Sequence, residues 1–127
     1  MDGISAFRGG VLVARETGRG IGPALSLFRT GALTGAEVAD RIVGRAAAAL
    51  FVAGGAVRVR ADVMSAGAAA FLAAYGIAAE AELTVPEIVN RQGTGPCPME
   101  EAVRDLEEPV RMIEAIETTL ARLRRAG

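Results

Sequence analysis

Histidine, lysine and tryptophan are absent from this 127-residue chain, and cysteine occurs once, at Cys97. Each absence excludes something. A lone thiol cannot close a disulfide within the chain. A zinc centre held by three imidazole or thiolate ligands cannot be assembled from one Cys and no His, and no cofactor is expected. Without Lys, all 14 cations are Arg. Alongside the excess of Ala and Gly, that most simply reflects GC-rich codon usage; the functional alternative is an Arg surface for phosphate recognition. Aromatics make up 4% of residues and the formal charge is −1, a balance that argues against a dedicated nucleic-acid partner. The longest apolar run, Ala46 to Val57 between Arg45 and Arg58, falls short of the ~20 residues that span a bilayer. Met1 to Ser5 is acidic and lacks the apolar core of a signal peptide. The expectation is a soluble cytoplasmic protein with no membrane partner.

What remains is aliphatic. Hydrophobic residues reach 51%, so the core must be Ala, Val, Leu and Ile, which suits interleaved strands and helices. At this length the chain forms one domain, residues 1–127. Gly9-Gly10 between Ile4–Arg8 and Val11–Arg15 predicts a hairpin. Gly18, Gly20 and Gly22 form a loop that lacks the G-x-G-x-x-G spacing, a plain turn or a weak phosphate cradle. Pro23 opens a short helix through Leu33. Ala36 to Ala39 predicts a brief buried strand that ends at Asp40. Arg41 to Ala53 is a helix apolar on nearly every side, capped by Asp40 and stopped by Gly54 or Gly55. Val57 to Met64 alternates as a half-wet strand, with Arg58, Arg60, Asp62 and Met64 on one face. Ser65 caps a third helix that Gly76 stops. A further strand lies within Ile77 to Val85, and Pro86 opens a single turn to Asn90. Pro98 begins a helix with Cys97 at its N-cap and Glu100 and Arg104 outside. Pro109 begins the last helix, with Val110, Ile113, Ile116, Leu120 and Leu123 inward.

Four blocks, Val38–Ala47, Ala61–Ser65, Tyr75–Ile77 and Val85–Glu100, resemble an uncharacterised family, domain of unknown function 1893. The last block, Val-Pro-Glu-Ile-Val-Asn-Arg-Gln-Gly-Thr-Gly-Pro-Cys-Pro-Met-Glu, is the most specific. The resemblance implies a three-layer α/β domain of cytidine-deaminase-like fold, with a mixed five-stranded sheet of order 2-1-3-4-5 flanked by helices. It implies no assigned activity. Zinc deamination needs His or Cys with Glu two residues on, then Pro-Cys-x-x-Cys. Here Asp40-Arg41-Ile42 and Ser65-Ala66-Gly67-Ala68 stand where the two ligand helices open. Pro96-Cys97-Pro98-Met99 begins the second motif, but Glu100 replaces its last Cys and the segment comes one strand too late.

In an open α/β sheet, ligands bind beyond the carboxyl ends of the strands, near helix N-termini. The expected ligand-binding group is therefore Asp40, Arg41, Arg45 and Ser65, with Asn90, Arg91, Gly93, Thr94, Gly95 and Cys97 closing over them. Asp40 reads as a cap alone or a cap that also touches ligand. Arg45, one turn into an apolar helix, calls for a buried ion pair with Asp40 or Asp62, or an anion contact. Gly93-Thr94-Gly95 reads as an anion nest or a simple loop. Cys97 is either a small buried hydrophobe or, at a helix N-terminus beside Arg91, a candidate catalytic thiolate. The expected partner is a small anionic or nucleotide-type ligand. A homo-oligomer is expected by analogy, and a non-catalytic interaction module is the remaining alternative.

Overall fold

Two glycines set the first turn. Gly9 and Gly10 have φ of +57° and +80°, the doubly positive geometry of a type I′ turn. They join β1 (Ile4–Arg8) to β2 (Val11–Glu16) as the expected antiparallel hairpin. The computed structural model describes residues 3–90 and 92–126. Arg91, one of the expected ligand residues, lies outside the described residues.

The order continues with α1 (Gly22–Arg29), β3 (Glu37–Val43), α2 (Arg45–Gly54), β4 (Arg58–Ser65), α3 (Ala66–Ala74), β5 (Ala78–Val85), α4 (Pro98–Val103) and α5 (Pro109–Ala126). The strands form one sheet in the order β2-β1-β3-β4-β5. β1 runs antiparallel to both β2 and β3, while β3, β4 and β5 run parallel. This is the mixed α/β sheet and strand order expected.

Three layers result. α1, α2 and α3 pack beside one another against the sheet, and α4 and α5 pack over α2 from the far side. Ala46 to Phe51 are all buried, so α2, apolar on nearly every side, is covered as its sequence requires. Its C-terminus ends at Gly55, in the left-handed region at φ +85°, which spares a Cβ clash there. Among the described residues, no helix is long and apolar enough to cross a membrane.

Five expectations change. α1 does not reach Leu33 but ends at Arg29, and the chain turns at Gly31, in the left-handed region at φ +78°. β3 does not stop at Asp40 but runs to Val43, because its backbone, paired with β1 as far as Asp40, goes on pairing with β4 at Ile42 and Val43. Pairing with β4 outweighs the local turn signal. On β4, Arg58, Arg60 and Asp62 are exposed as expected, but Met64 is buried at the strand's end, where the chain turns into α3. Pro86 to Asn90 forms no helical turn; Val89 instead bridges antiparallel to Pro96, and Cys97 N–H donates to the Ile88 carbonyl at 3.1 Å. On α5 the buried stripe is Met112, Ile113, Ile116 and Thr119, whereas Val110 and Leu123 are 67% and 40% exposed. The helix outruns the layer it packs on at both ends.

Candidate ligand cleft

The N-terminus of α2 is where the structure departs most from the sequence. Its N-cap is Gly44, which has no side chain to offer. The capping carboxylate comes from α4: Glu100 Oε1 accepts from Arg45 N–H at 2.7 Å and Oε2 from Ala46 N–H at 2.9 Å. The first-turn amides of a helix lack partners within it, and an anion there also meets the positive end of the helix dipole. Gly44 is required for the approach. A Cβ at that position would stand 2.4 Å from the Glu100 carboxyl carbon.

Arg45 answers in the other direction. Its guanidinium donates to the carbonyls of Val103 at 2.7 Å, Arg104 at 3.2 Å and Leu106 at 2.6 Å, acceptors that α4 leaves open at its C-terminal end. It also lies 5.5 Å from the centre of the Phe71 ring, within the range of a cation–π contact. The expected ion pair with Asp40 or Asp62 is replaced by carbonyls and an aromatic face. Gly67 makes room, since a Cβ there would meet Arg45 Cδ at 3.0 Å. Two helices distant in sequence thus cap each other.

Asp40 is not a cap. It lies within β3, opposite Ile4 and Ala61, and one of its oxygens accepts from the Arg41 N–H at 2.8 Å. Burial pushes its carboxyl from the ordinary 3.8 up to about 6; the bond to Arg41 N–H opposes the shift and the charge of Asp62 adds to it. Arg41, the next residue of β3, is exposed.

Ser65 does what was expected. Its hydroxyl accepts from Ala68 N–H at 3.0 Å and caps α3. Around it opens a cleft of about 120 Å³, lined by Arg45, Ser65, Gly67, Pro86, Glu87, Ile88, Pro96, Glu100 and Arg104. It lies at the carboxyl ends of β4 and β5, at the first turn of α3. Of the ten residues expected there, Arg45 and Ser65 line it. Asp40 and Arg41 lie elsewhere along β3.

The glycine segment bonds to itself. Asn90 Oδ1 accepts from Thr94 N–H at 3.0 Å, Asn90 Nδ2 donates to Thr94 Oγ1 at 3.2 Å, and Asn90 N–H donates to the Gly95 carbonyl at 2.8 Å. Gly93, at φ +71°, donates its N–H to the Asn90 carbonyl at 3.0 Å. These amides serve the turn, so Gly93, Thr94 and Gly95 form a loop closed by Asn90 rather than an anion nest. Cys97 is the N-cap of α4 as expected, with no side-chain capping bond. It is half-buried against the core and is not part of the cleft lining.

Sequence reasoning missed Glu100 and Arg104. The one signal for Glu100 was a helix start without a capping side chain, Gly44 before Arg45, once β3 is known to absorb Asp40. Among the described residues, no three Cys, Asp or Glu gather closely enough to hold a metal ion.

A comparison with curated proteins finds no match. Among solved structures, the chain is similar to a DUF1893 family protein from Thermotoga maritima, determined at 2.70 Å resolution. The two share 26% sequence identity over 94% of this chain and 79% of that one, with a TM-score of 0.81. The sequence pattern of the family described as "Domain of unknown function (DUF1893)" matches residues 6–120. The resemblance carried by the four sequence blocks is thereby borne out, and the chain belongs to the DUF1893 family.

Proposed function

We propose that this domain binds a small anionic ligand, a phosphate or the phosphate of a nucleotide, in the cleft at the first turn of α3. The observation that carries this reading is convergence. The amide end of α3, with Ser65 and Gly67, borders the same cleft of about 120 Å³ as Arg104 and Arg45, whose guanidinium is fixed, and Glu87 and Glu100 complete its charged lining. Helix N-termini favour anions through their open N–H groups and dipole. Arg104 supplies the movable cation, because two of Arg45's nitrogens are committed to carbonyls. The volume suits a phosphate-sized group, with any nucleoside resting outside against Pro86 to Ile88. The strand order 2-1-3-4-5 agrees with a cytidine-deaminase-like fold. On this reading the fold is used for binding, without zinc.

A thiolate enzyme is the weaker reading, since Cys97 is not among the residues that line the cleft. The binding reading is tested by thermal-shift titration with inorganic phosphate and with nucleoside mono- and triphosphates. A ligand at 100 times its Kd stabilises by about 2.7 kcal/mol, a shift of several degrees at this size. The expected result is such a shift for the wild type and its loss in Arg104→Glu. If no phosphorylated compound shifts the wild type, or the variant shifts equally, the reading is wrong.

A further inference from the structure

Four charged side chains line the cleft at the first turn of α3, two of each sign. Two of them are already answered within the protein. Glu100 accepts from the Arg45 and Ala46 amides, and the Arg45 guanidinium donates to the carbonyls of Val103, Arg104 and Leu106. The other two are Arg104 and Glu87. Both are exposed, and among the described residues neither side chain has a hydrogen-bond or ion-pair partner. They border one cleft without reaching each other.

Arg104 suits an anion, and Glu87 does not. A carboxylate beside a bound phosphate weakens its binding by like-charge repulsion. Nothing on Glu87's own wall relieves this. That wall is Pro86, Glu87, Ile88 and Pro96, where the prolines have no amide hydrogen and Glu87 carries the one polar side chain. Ser65 pairs with Val85 across the β4–β5 ladder, so Glu87, two residues further on, stands past the end of β5 and one strand over from the α3 amides. The cleft is therefore bipolar, with a seat for an anion between α3 and Arg104 and an acceptor to one side of it. Given an anion held at the first turn of α3, as proposed for this cleft, we infer that Glu87 selects what the anion is attached to: a sugar whose neighbouring hydroxyls donate to its two oxygens. An ionised carboxylate accepts at both oxygens and donates at neither, which a vicinal diol matches. The acidic residue of dinucleotide sites holds the ribose 2′-hydroxyl in the same way. Pro86, Ile88 and Pro96 offer apolar surface to the carbon face of such a sugar. The ligand class is a ribose phosphate or ribonucleotide, because its hydroxyls offset a repulsion that free phosphate meets uncompensated.

Isothermal titration calorimetry on the full chain separates the outcomes with inorganic phosphate, ribose 5-phosphate, 2-deoxyribose 5-phosphate and phosphoethanolamine as probes. The wild type is expected to bind ribose 5-phosphate at least about tenfold more tightly than its 2-deoxy analogue or inorganic phosphate, the scale of one hydrogen bond to a charged group. Glu87→Gln keeps the side chain's size and breaks no contact, and circular dichroism checks that it stays folded. It is expected to lose the preference for ribose 5-phosphate and to bind inorganic phosphate severalfold more tightly than the wild type does. A variant that gains affinity for all the phosphates alike overturns the inference, since Glu87 would then act through charge alone. Equal binding of the ribose and deoxyribose phosphates by the wild type overturns it and leaves the anion seat standing. Tighter binding of phosphoethanolamine than of ribose 5-phosphate also overturns it, and assigns Glu87 to an ammonium. If none of the probes binds, the anion seat itself fails and the sugar selection falls with it.

Discussion

Asp40 and Glu100 exchange roles between sequence and structure. The carboxylate expected to cap α2 lies within a strand, where burial raises it to about 6. The one expected on a wet helix face does the capping. The sign of the first effect is definite. Asp40 holds its proton to higher pH in the folded than in the unfolded chain, so its contribution favours folding below about pH 4. That contribution declines as pH rises from 3.8 to about 6, and above that its charge opposes folding. Asp40→Asn keeps an acceptor for the Arg41 N–H and removes the charge. It is expected to raise stability at pH 7.5 by on the order of 1–2 kcal/mol, taking each pKa unit as 1.36 kcal/mol and allowing for relaxation. The gain should vanish near pH 3.5. Denaturant unfolding at the two pH values checks it, and an equal gain at both would refute the burial account.

At the scale of elements, α2 and α4 hold each other by their ends. Glu100 serves two amides of α2, and Arg45 serves three carbonyls at and just beyond the end of α4. A cap is worth about 1 kcal/mol, and hydrogen bonds to a charged group about 1.5–3 kcal/mol. Glu100→Ala is therefore expected to cost about 2–3 kcal/mol, and Glu100→Gln, which keeps one acceptor, about half as much. Hydrogen exchange should show the first turn of α2 losing protection before its C-terminal end. Uniform loss along the helix would mean that Glu100 acts through general packing. The sequence could not reveal this clamp, because its partners lie more than fifty residues apart and each helix carries an ordinary-looking charge.

For the whole molecule, α2 is the hub. The sheet covers one side and α5 the other, and Ile116 is fully buried while Val110 on the same helix is largely exposed. An Asp at 116 would place a charge against an apolar helix with no cation provided for it. Ile116→Asp is expected to cost at least 3 kcal/mol and to expose the outer side of α2, read as raised binding of an apolar dye. Val110→Asp should stay within about 0.5 kcal/mol. Similar losses for the two would mean that the helix's exposed end is also a contact.

The sequence by itself determined the elements and their order. Gly9-Gly10, Pro23, Ser65, Pro98 and Pro109 mark local backbone preferences that act within a few residues, and the apolar stretch after Arg45 required a helix covered on every side. These are short-range effects, and short-range effects are written in consecutive residues. Tertiary structure alone decided which carboxylate meets which helix end. Asp40 had a strong local reason to cap, yet two-sided pairing of β3 drew it into the sheet, and the vacant amides found Glu100 from another helix. It likewise decided that the glycine segment closes on Asn90 instead of a ligand. Those outcomes depend on groups brought together from distant parts of the chain, where burial and geometry, not local preference, set the energy.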